Sequence, residues 1–158
     1  MKTSIDAVSL IFILKIPALE QVVRPYIERA YVTNAVYKEV FETKGSEEIA
    51  NIQSYFDVWL ERKDPKKIIQ TKLGTGELSA ISLAHEQKIA FISEDRKALL
   101  FANSIGVKTT TLLSILLKAK DEEEIDPETA KSVLFKLVET GYYMSSELFA
   151  FMLKKIEG

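Results

Sequence analysis

Short β-favouring runs alternate with segments of helical period along this chain, and that alternation leaves few folds open. The runs are Lys2–Ala7, Ala30–Thr33, Ile68–Gln70, Lys88–Ser93 and Gly106–Thr109. Between them, apolar residues recur every three or four positions. Leu19, Val22, Val23, Tyr26 and Ile27 do so behind Pro17, and Ala35, Val36, Val40 and Phe41 behind Asn34. Strands separated by helices build βαβ units and a mostly parallel sheet, and right-handed crossovers then place helices on both faces. An α/β fold is therefore predicted.

Local signals set the helix ends. Val8–Leu14 follows the first strand as a helix, and Asn34 is the predicted N-cap of the helix after the second. Gly45-Ser46 interrupts that helix, with Ser46 capping another through Ile49, Ile52, Tyr55, Phe56 and Trp59. Lys63–Lys67, centred on Asp64-Pro65, reads as a polar turn. Gly74-Thr75-Gly76-Glu77 opens a helix whose apolar face is Leu78, Ile81, Ser82 and Leu83, with Glu77 at its second position. Asp95 starts the next helix, and Thr110 or Thr111 caps the one after it. Asp126-Pro127 is an N-cap followed by proline at the first helical position, Gly141 ends that helix, and Ser145 caps the last. The acidic stretch Asp121–Asp126 is the nearest thing to a hinge. The 158 residues form one domain, with C-terminal helices over about 127–156 packing on it.

Composition excludes several classes. There is no cysteine, which removes disulfides, zinc ribbons and thiol catalysis. The longest apolar stretch, Ala7–Leu14, is far short of the roughly 20 residues that span a bilayer. Asp6 precedes it and no small-residue cleavage site follows, so a signal peptide is not expected and the cytoplasm is the expected location. A formal net charge of −2 supplies no global basic field for nucleic acid. Any nucleic acid must be gripped locally, by Lys63, Lys66 and Lys67, by Lys72, or by Arg96 and Lys97.

Four carboxylates, Asp6, Glu39, Glu77 and Asp95, lie beside the ends of the β-favouring runs or on the helices that follow. In an open parallel sheet the strand C-termini face one crevice, where ligands bind. Each acid also has an ordinary explanation. Asp6 and Asp95 suit N-caps, Glu77 complements a helix dipole, and Glu39 suits a solvent-facing helix position. Together in a βαβ frame they point further, because acids gathered in one crevice repel unless cations lie between them. Oxygen-only ligands suit hard ions such as Mg²⁺ or Mn²⁺, which in turn suit phosphodiester chemistry.

Competing chemistries lack their residues. The single histidine, His85, lies within the Glu77 helix and has no triad around it. No P-loop string exists, and Gly74-x-Gly76 is only a fragment of a dinucleotide fingerprint. Tyr142-Tyr143 offers rings for base stacking, although packing on the core explains such a pair first. The stripe Val133, Leu134, Leu137 and Val138 is likewise read as core.

These residues carry a family resemblance over nearly the whole chain. The chain resembles PIN-domain proteins, in particular the small prokaryotic subgroup related to VapC-type toxin ribonucleases. Ile5-Asp6-Ala7-Val8-Ser9-Leu10-Ile11 is similar to the opening Asp motif, and Val32 to Val40 to the second motif, which ends in a Glu-Val pair. Leu73 to Ala84 resembles the Gly-Glu-x-x-Ala-Ile-x-Leu-Ala string, the most specific of the set. Phe91 to Ala98 resembles the last motif, in which a Ser or Thr precedes the final acid by two positions, and Gly141 to Leu148 resembles the subgroup's tail. The pattern departs at Val8, where a small polar residue is usual and Ser9 comes one place late. It departs again at Leu99, where a basic residue is common.

The resemblance implies a three-layer α/β/α sandwich on a mostly parallel sheet and Mg²⁺- or Mn²⁺-dependent cleavage of single-stranded RNA. Asp6, Glu39, Glu77 and Asp95 would be both catalytic and metal-binding, Ser93 would orient the last acid or a water, and Glu94 would be an alternate acid. Structured RNA, an antitoxin protein and a second copy of the chain are the other implied partners. The apolar segment with Leu148, Phe149, Phe151 and Met152 is one surface for such a dimer. The alternative is a non-catalytic module that grips RNA or a protein without cutting.

Overall fold

Ile5, Ala30, Val32, Phe91 and Ile92 are completely shielded from solvent, because they belong to the strands at the middle of a five-stranded parallel sheet. The computed structural model describes residues 1–43, 52–56 and 58–158. Its strands are β1 (Lys2–Ile5), β2 (Arg29–Val32), β3 (Leu60–Arg62), β4 (Ala90–Ile92) and β5 (Thr109–Thr110), in the order β3-β2-β1-β4-β5. All four pairings are parallel, with Ile5 opposite Ile92 and Thr3 opposite both Ala30 and Ala90. The chain leaves β1 toward β2 and β3 and later returns to place β4 on the other side. The topological switch point therefore lies between β1 and β4, where Asp6 and Ser93 emerge.

The helices are α1 (Ala7–Lys15), α2 (Pro17–Val23), α3 (Asn34–Thr43), α4 (Thr75–Gln87), α5 (Arg96–Ser104), α6 (Leu112–Asp121), α7 (Pro127–Glu139) and α8 (Ser146–Glu157). With the sheet they form the expected three-layer α/β/α sandwich. Helix α4 packs on β1 and β4 between α3 and α5, while α1 packs on α2 and α3. Helices α7 and α8 pack on each other and on α6, and Leu134, Leu137, Met152 and Ile156 join the same buried cluster as Ile5. Residues Gly76 and Leu78–Ala84 of α4 are buried on all sides, so its pattern is a nearly continuous small and apolar run rather than one stripe. Buried hydroxyls tie α4 to the sheet and to the start of α3. Ser4 donates to the Ala80 carbonyl at 2.8 Å, and the Thr33 and Ser79 hydroxyls meet at 2.6 Å.

Several expected local features are displaced. The edge strand is Leu60–Arg62 rather than Ile68–Gln70, because fully buried Leu60 pairs with Ala30 while Ile68 is left exposed. The backbone of Ile69 turns to the Ser82 hydroxyl instead of to a strand. The last strand is Thr109–Thr110 rather than Gly106–Thr109. Gly106, at φ 86°, is used to turn out of α5, a conformation favourable only to glycine. Thr33, not Asn34, caps α3 by accepting the Val36 N–H at 3.2 Å. Asn34 instead donates its backbone N–H to Asp64 and bridges Asp64 to Arg62 through its side chain. Glu77 is at the third position of α4, one later than expected, with Gly74 at the N-cap. Thr111, Asp126 and Ser145 cap α6, α7 and α8 as expected. The Asp121–Asp126 stretch is a closed turn, with the Glu122 and Glu124 N–H groups each 2.9 Å from carbonyls of α6. The Gly45-Ser46 break and the Ser46 cap lie outside the described residues; residues 52–55 are helical. Among the described residues, no helix is long and apolar enough to cross a membrane.

Candidate active site

β1 and β4 end side by side, and the first polar residue beyond each enters one network. Asp6 caps α1, its Oδ1 accepting the Ser9 N–H at 2.8 Å, while its Oδ2 accepts the hydroxyl of fully buried Ser93. The Ser93 oxygen in turn accepts the Asp95 N–H at 3.0 Å. Asp95 caps α5, with Oδ1 accepting from Lys97 and Ala98 at 2.8 and 3.2 Å. The ordinary capping explanation of both aspartates is thus correct and is combined with a shared serine. Burial pushes the Asp6 carboxyl above the usual aspartate value, against the lowering effect of the bonds from Ser93 and Ser9.

Glu39 reaches the same place from α3. Its carboxylate lies on Gly76, whose N–H holds it; a Cβ on Gly76 would overlap Glu39 Oε1. Burial, then the charges of Glu77, Asp6 and Glu42, raise the Glu39 carboxyl above its ordinary value. Glu77 folds back over Gly74 and lines a small recess with Asp6, Val8 and Glu39. Both glycines thus give room to acids, which is the physical meaning of the Gly-Thr-Gly run. Among the described residues, no three His, Asp or Glu side chains stand as a group arranged to hold a metal ion.

Glu94 sits deeper. One oxygen accepts the Leu112 N–H at 2.7 Å, at the start of α6, and Oε2 is buried without a partner at hydrogen-bond geometry. Burial pushes its carboxyl up to about 8, aided by the Asp6 charge and opposed by the Leu112 N–H. Tyr142 packs its ring on Phe12 at 5.3 Å between centroids, and burial followed by the Glu94 charge raises its phenol. The cleft enclosed by these groups has a volume of about 390 Å³ and runs from Asp6, Glu77, Glu94 and Asp95 to Tyr143.

The expected basic residues are unevenly placed. Arg96 and Lys97 are exposed immediately after Asp95, and Lys72 is exposed just before Gly74. Lys66 donates its N–H to Glu86, at the other end of α4 from Glu77, and Lys63 lies over the Tyr31 ring at 5.4 Å. His85 is exposed and lines a separate cleft. Met152 is buried and the Phe149 ring meets Phe135, which leaves Phe151 as the half-exposed member of the segment expected at a dimer interface. Val8, read as a departure from a motif, is exposed at the lip of the cleft, while the neighbouring Ser9 donates its N–H to the capping carboxylate of Asp6. The Gly76 cradle was missed, and its signal was the second glycine directly before Glu77.

Fold and cleft together define an α/β protein with a carboxylate-lined site at its topological switch point. Residues 3–158 match the family model of the PIN domain, and the chain belongs to that family. The PIN domain is in general a nuclease fold. Among solved structures, the chain is similar to the PilT N-terminus domain protein SSO1118 from the hyperthermophilic archaeon Sulfolobus solfataricus. The identity is 17% and the TM-score 0.54, over 75% of this chain and 93% of that one, a likeness of fold. No curated protein matches the chain.

Proposed function

We propose that this protein is a divalent-metal-dependent ribonuclease that cuts single-stranded RNA at the cleft between β1 and β4. The observation that carries the reading is that Asp6, Glu39 and Glu77 line one small recess beside a cradle kept open by Gly76, where burial first, and then the charges of Glu77 and Asp6, raise the carboxyl of Glu39. Such an arrangement is unfavourable unless cations offset it, and an all-oxygen donor set matches Mg²⁺ or Mn²⁺. The residues fit the ion by charge and donor chemistry. Holding it requires the acids to draw closer together than they stand here, since no three are already grouped for it among the described residues. Asp6, Glu39, Glu77 and Asp95 would hold one or two ions. A bound ion of this kind supplies an activated water and neutralises charge on the scissile phosphate.

The chain's own residues do the positioning. Ser93 fixes Asp6 and the start of α5 relative to each other, so the two aspartates keep one spacing. Arg96 and Lys97 present positive charge beside Asp95 for the phosphates that flank the cut. No side-chain base is needed, which accords with a histidine placed elsewhere. As the toxin of a toxin–antitoxin pair, the enzyme would be held inactive by an antitoxin segment laid along the cleft.

The ungrouped acids favour a second reading, a PIN fold that binds RNA or protein without cutting. Degradation of a labelled single-stranded RNA with Mn²⁺, with EDTA, and by Asp95→Asn separates the two. Cleavage that needs both the metal and Asp95 is expected. A folded, partner-free preparation that does not cut, and whose melting temperature Mn²⁺ does not move, overturns the ribonuclease reading.

A further inference from the structure

Helix α7 ends in a way that places two consecutive tyrosines in opposite surroundings. Gly141 adopts φ 107°, the Gly141 N–H reaches the Val138 carbonyl at 3.1 Å, and the Tyr142 N–H reaches Leu137 at 2.9 Å. This glycine-terminated helix end fixes the backbone, and the half-buried Tyr142 ring, packed on Phe12 beside Glu94, anchors it to the cleft. Tyr143 is the next residue and is 88% exposed, the most exposed large apolar side chain among the described residues, yet it lines the same cleft as Asp6, Glu77 and Asp95. Val8 opens onto that cleft with 53% of its surface exposed. Core packing explains Tyr142 and leaves Tyr143 unexplained.

We infer that Tyr143 is a stacking platform for one unpaired nucleobase of the RNA, beside the carboxylates that act on the phosphate. The inference rests on the ribonuclease reading and adds a base-binding subsite to it. A phenol ring held out from a fixed backbone offers a flat face at little ordering cost, and every base has a π-face to lay on it. In a duplex both faces of a base are already stacked, so the platform admits single strands and excludes paired ones. Arg96 and Lys97, exposed beside the carboxylates, take the phosphate, and the Tyr143–Val8 lip takes the base. The contact reads planarity rather than hydrogen-bonding edges, so it sets strandedness and not sequence.

The test is binding in an Asp95→Asn background, where cleavage is suppressed, followed by anisotropy of a labelled single-stranded RNA in Mn²⁺. Probes are a base-bearing strand, the same strand with abasic positions, and its duplex; Tyr143→Ala, Tyr143→Phe and Tyr143→Trp are compared. Tyr143→Ala should weaken binding of the base-bearing strand by about tenfold. Tyr143→Phe should retain it, and the emission of Tyr143→Trp should be quenched when that strand binds. The abasic strand and the duplex should bind equally well whether Tyr143 is present or replaced in Tyr143→Ala. Unchanged binding of the base-bearing strand by Tyr143→Ala, or an equal loss on the abasic strand, overturns the platform; if the chain with Asp95 intact still cuts, the ribonuclease reading stands. A wild-type chain that neither binds nor cuts RNA overturns both.

Discussion

The hydroxyl of Ser93 donates to the carboxylate of Asp6 across 87 residues of sequence, and the same oxygen accepts the backbone N–H of Asp95. One buried atom thus couples the end of β1 to the start of α5. The coupling matters because Asp6 is almost fully buried, and a buried carboxylate is tolerable only when donors surround it.

Removing that hydroxyl should therefore cost both stability and activity. Ser93→Ala leaves Asp6 short of a donor, a loss of about 1–3 kcal/mol. Urea melts in EDTA should show it, and the rate of Mn²⁺-dependent RNA cleavage should fall by about tenfold if misplacement of the two aspartates limits the reaction. A variant as stable and as active as the wild type would show that the bridge has no role.

Asp6→Asn should separate fold from function. An asparagine oxygen still caps α1, and the cost of burying a charge disappears. The melting temperature in EDTA should hold or rise while cleavage and the Mn²⁺-induced stabilisation are lost. Cleavage at the wild-type rate would remove Asp6 from the site.

Gly76→Ala tests the cradle. A methyl group there overlaps Glu39 Oε1 and must drive that carboxylate off its present position. Gly76 is the second residue of α4, where alanine gains at most about 1 kcal/mol over glycine and the atom it displaces is the end of a flexible side chain, so thermal stability in EDTA should change little. The stabilisation by Mn²⁺ should shrink and cleavage should slow. An unchanged Mn²⁺ response would mean that Glu39 is not a ligand.

Acids at the cleft also set a pH dependence. In the folded chain the Glu94 carboxyl is pushed up to about 8 from an ordinary 4.5, chiefly by burial. Between those values the folded chain keeps a proton that the unfolded chain releases, so stability falls as pH rises through that window and levels off above it. Asp6 and Glu39, raised in the same direction, add to the fall. In EDTA the melting temperature should drop by several degrees from about pH 5 to about pH 8.5, and Glu94→Gln should flatten the curve. A wild-type melting temperature that rises over this range would contradict the burial of Glu94.

Much of this protein is decided locally. Phe91-Ile92 lies in a short apolar run that suits a strand covered on both faces, Ile5 ends a β-favouring run with Thr3 and Ser4, and Asp6, Asp95, Thr111, Asp126 and Ser145 hold hydrogen bonds within three residues of themselves. Such interactions are written in adjacent residues, which is why the sheet's centre and the helix starts were legible in the sequence. Other features depend on which segments approach each other. Leu60 and Ile68 are both apolar, and only the space beside Ala30 selects Leu60 for the edge strand. Thr33 and Asn34 are both good caps, and Asp64 and Arg62 draw Asn34 away. The placing of Glu39 on Gly76, the reach of Ser93 to Asp6, and the turn that buries Tyr142 while exposing Tyr143 arise from packing between distant elements. A side chain's type limits the contacts it can make, but its partner is chosen by the tertiary packing that brings donors, acceptors and open volume together.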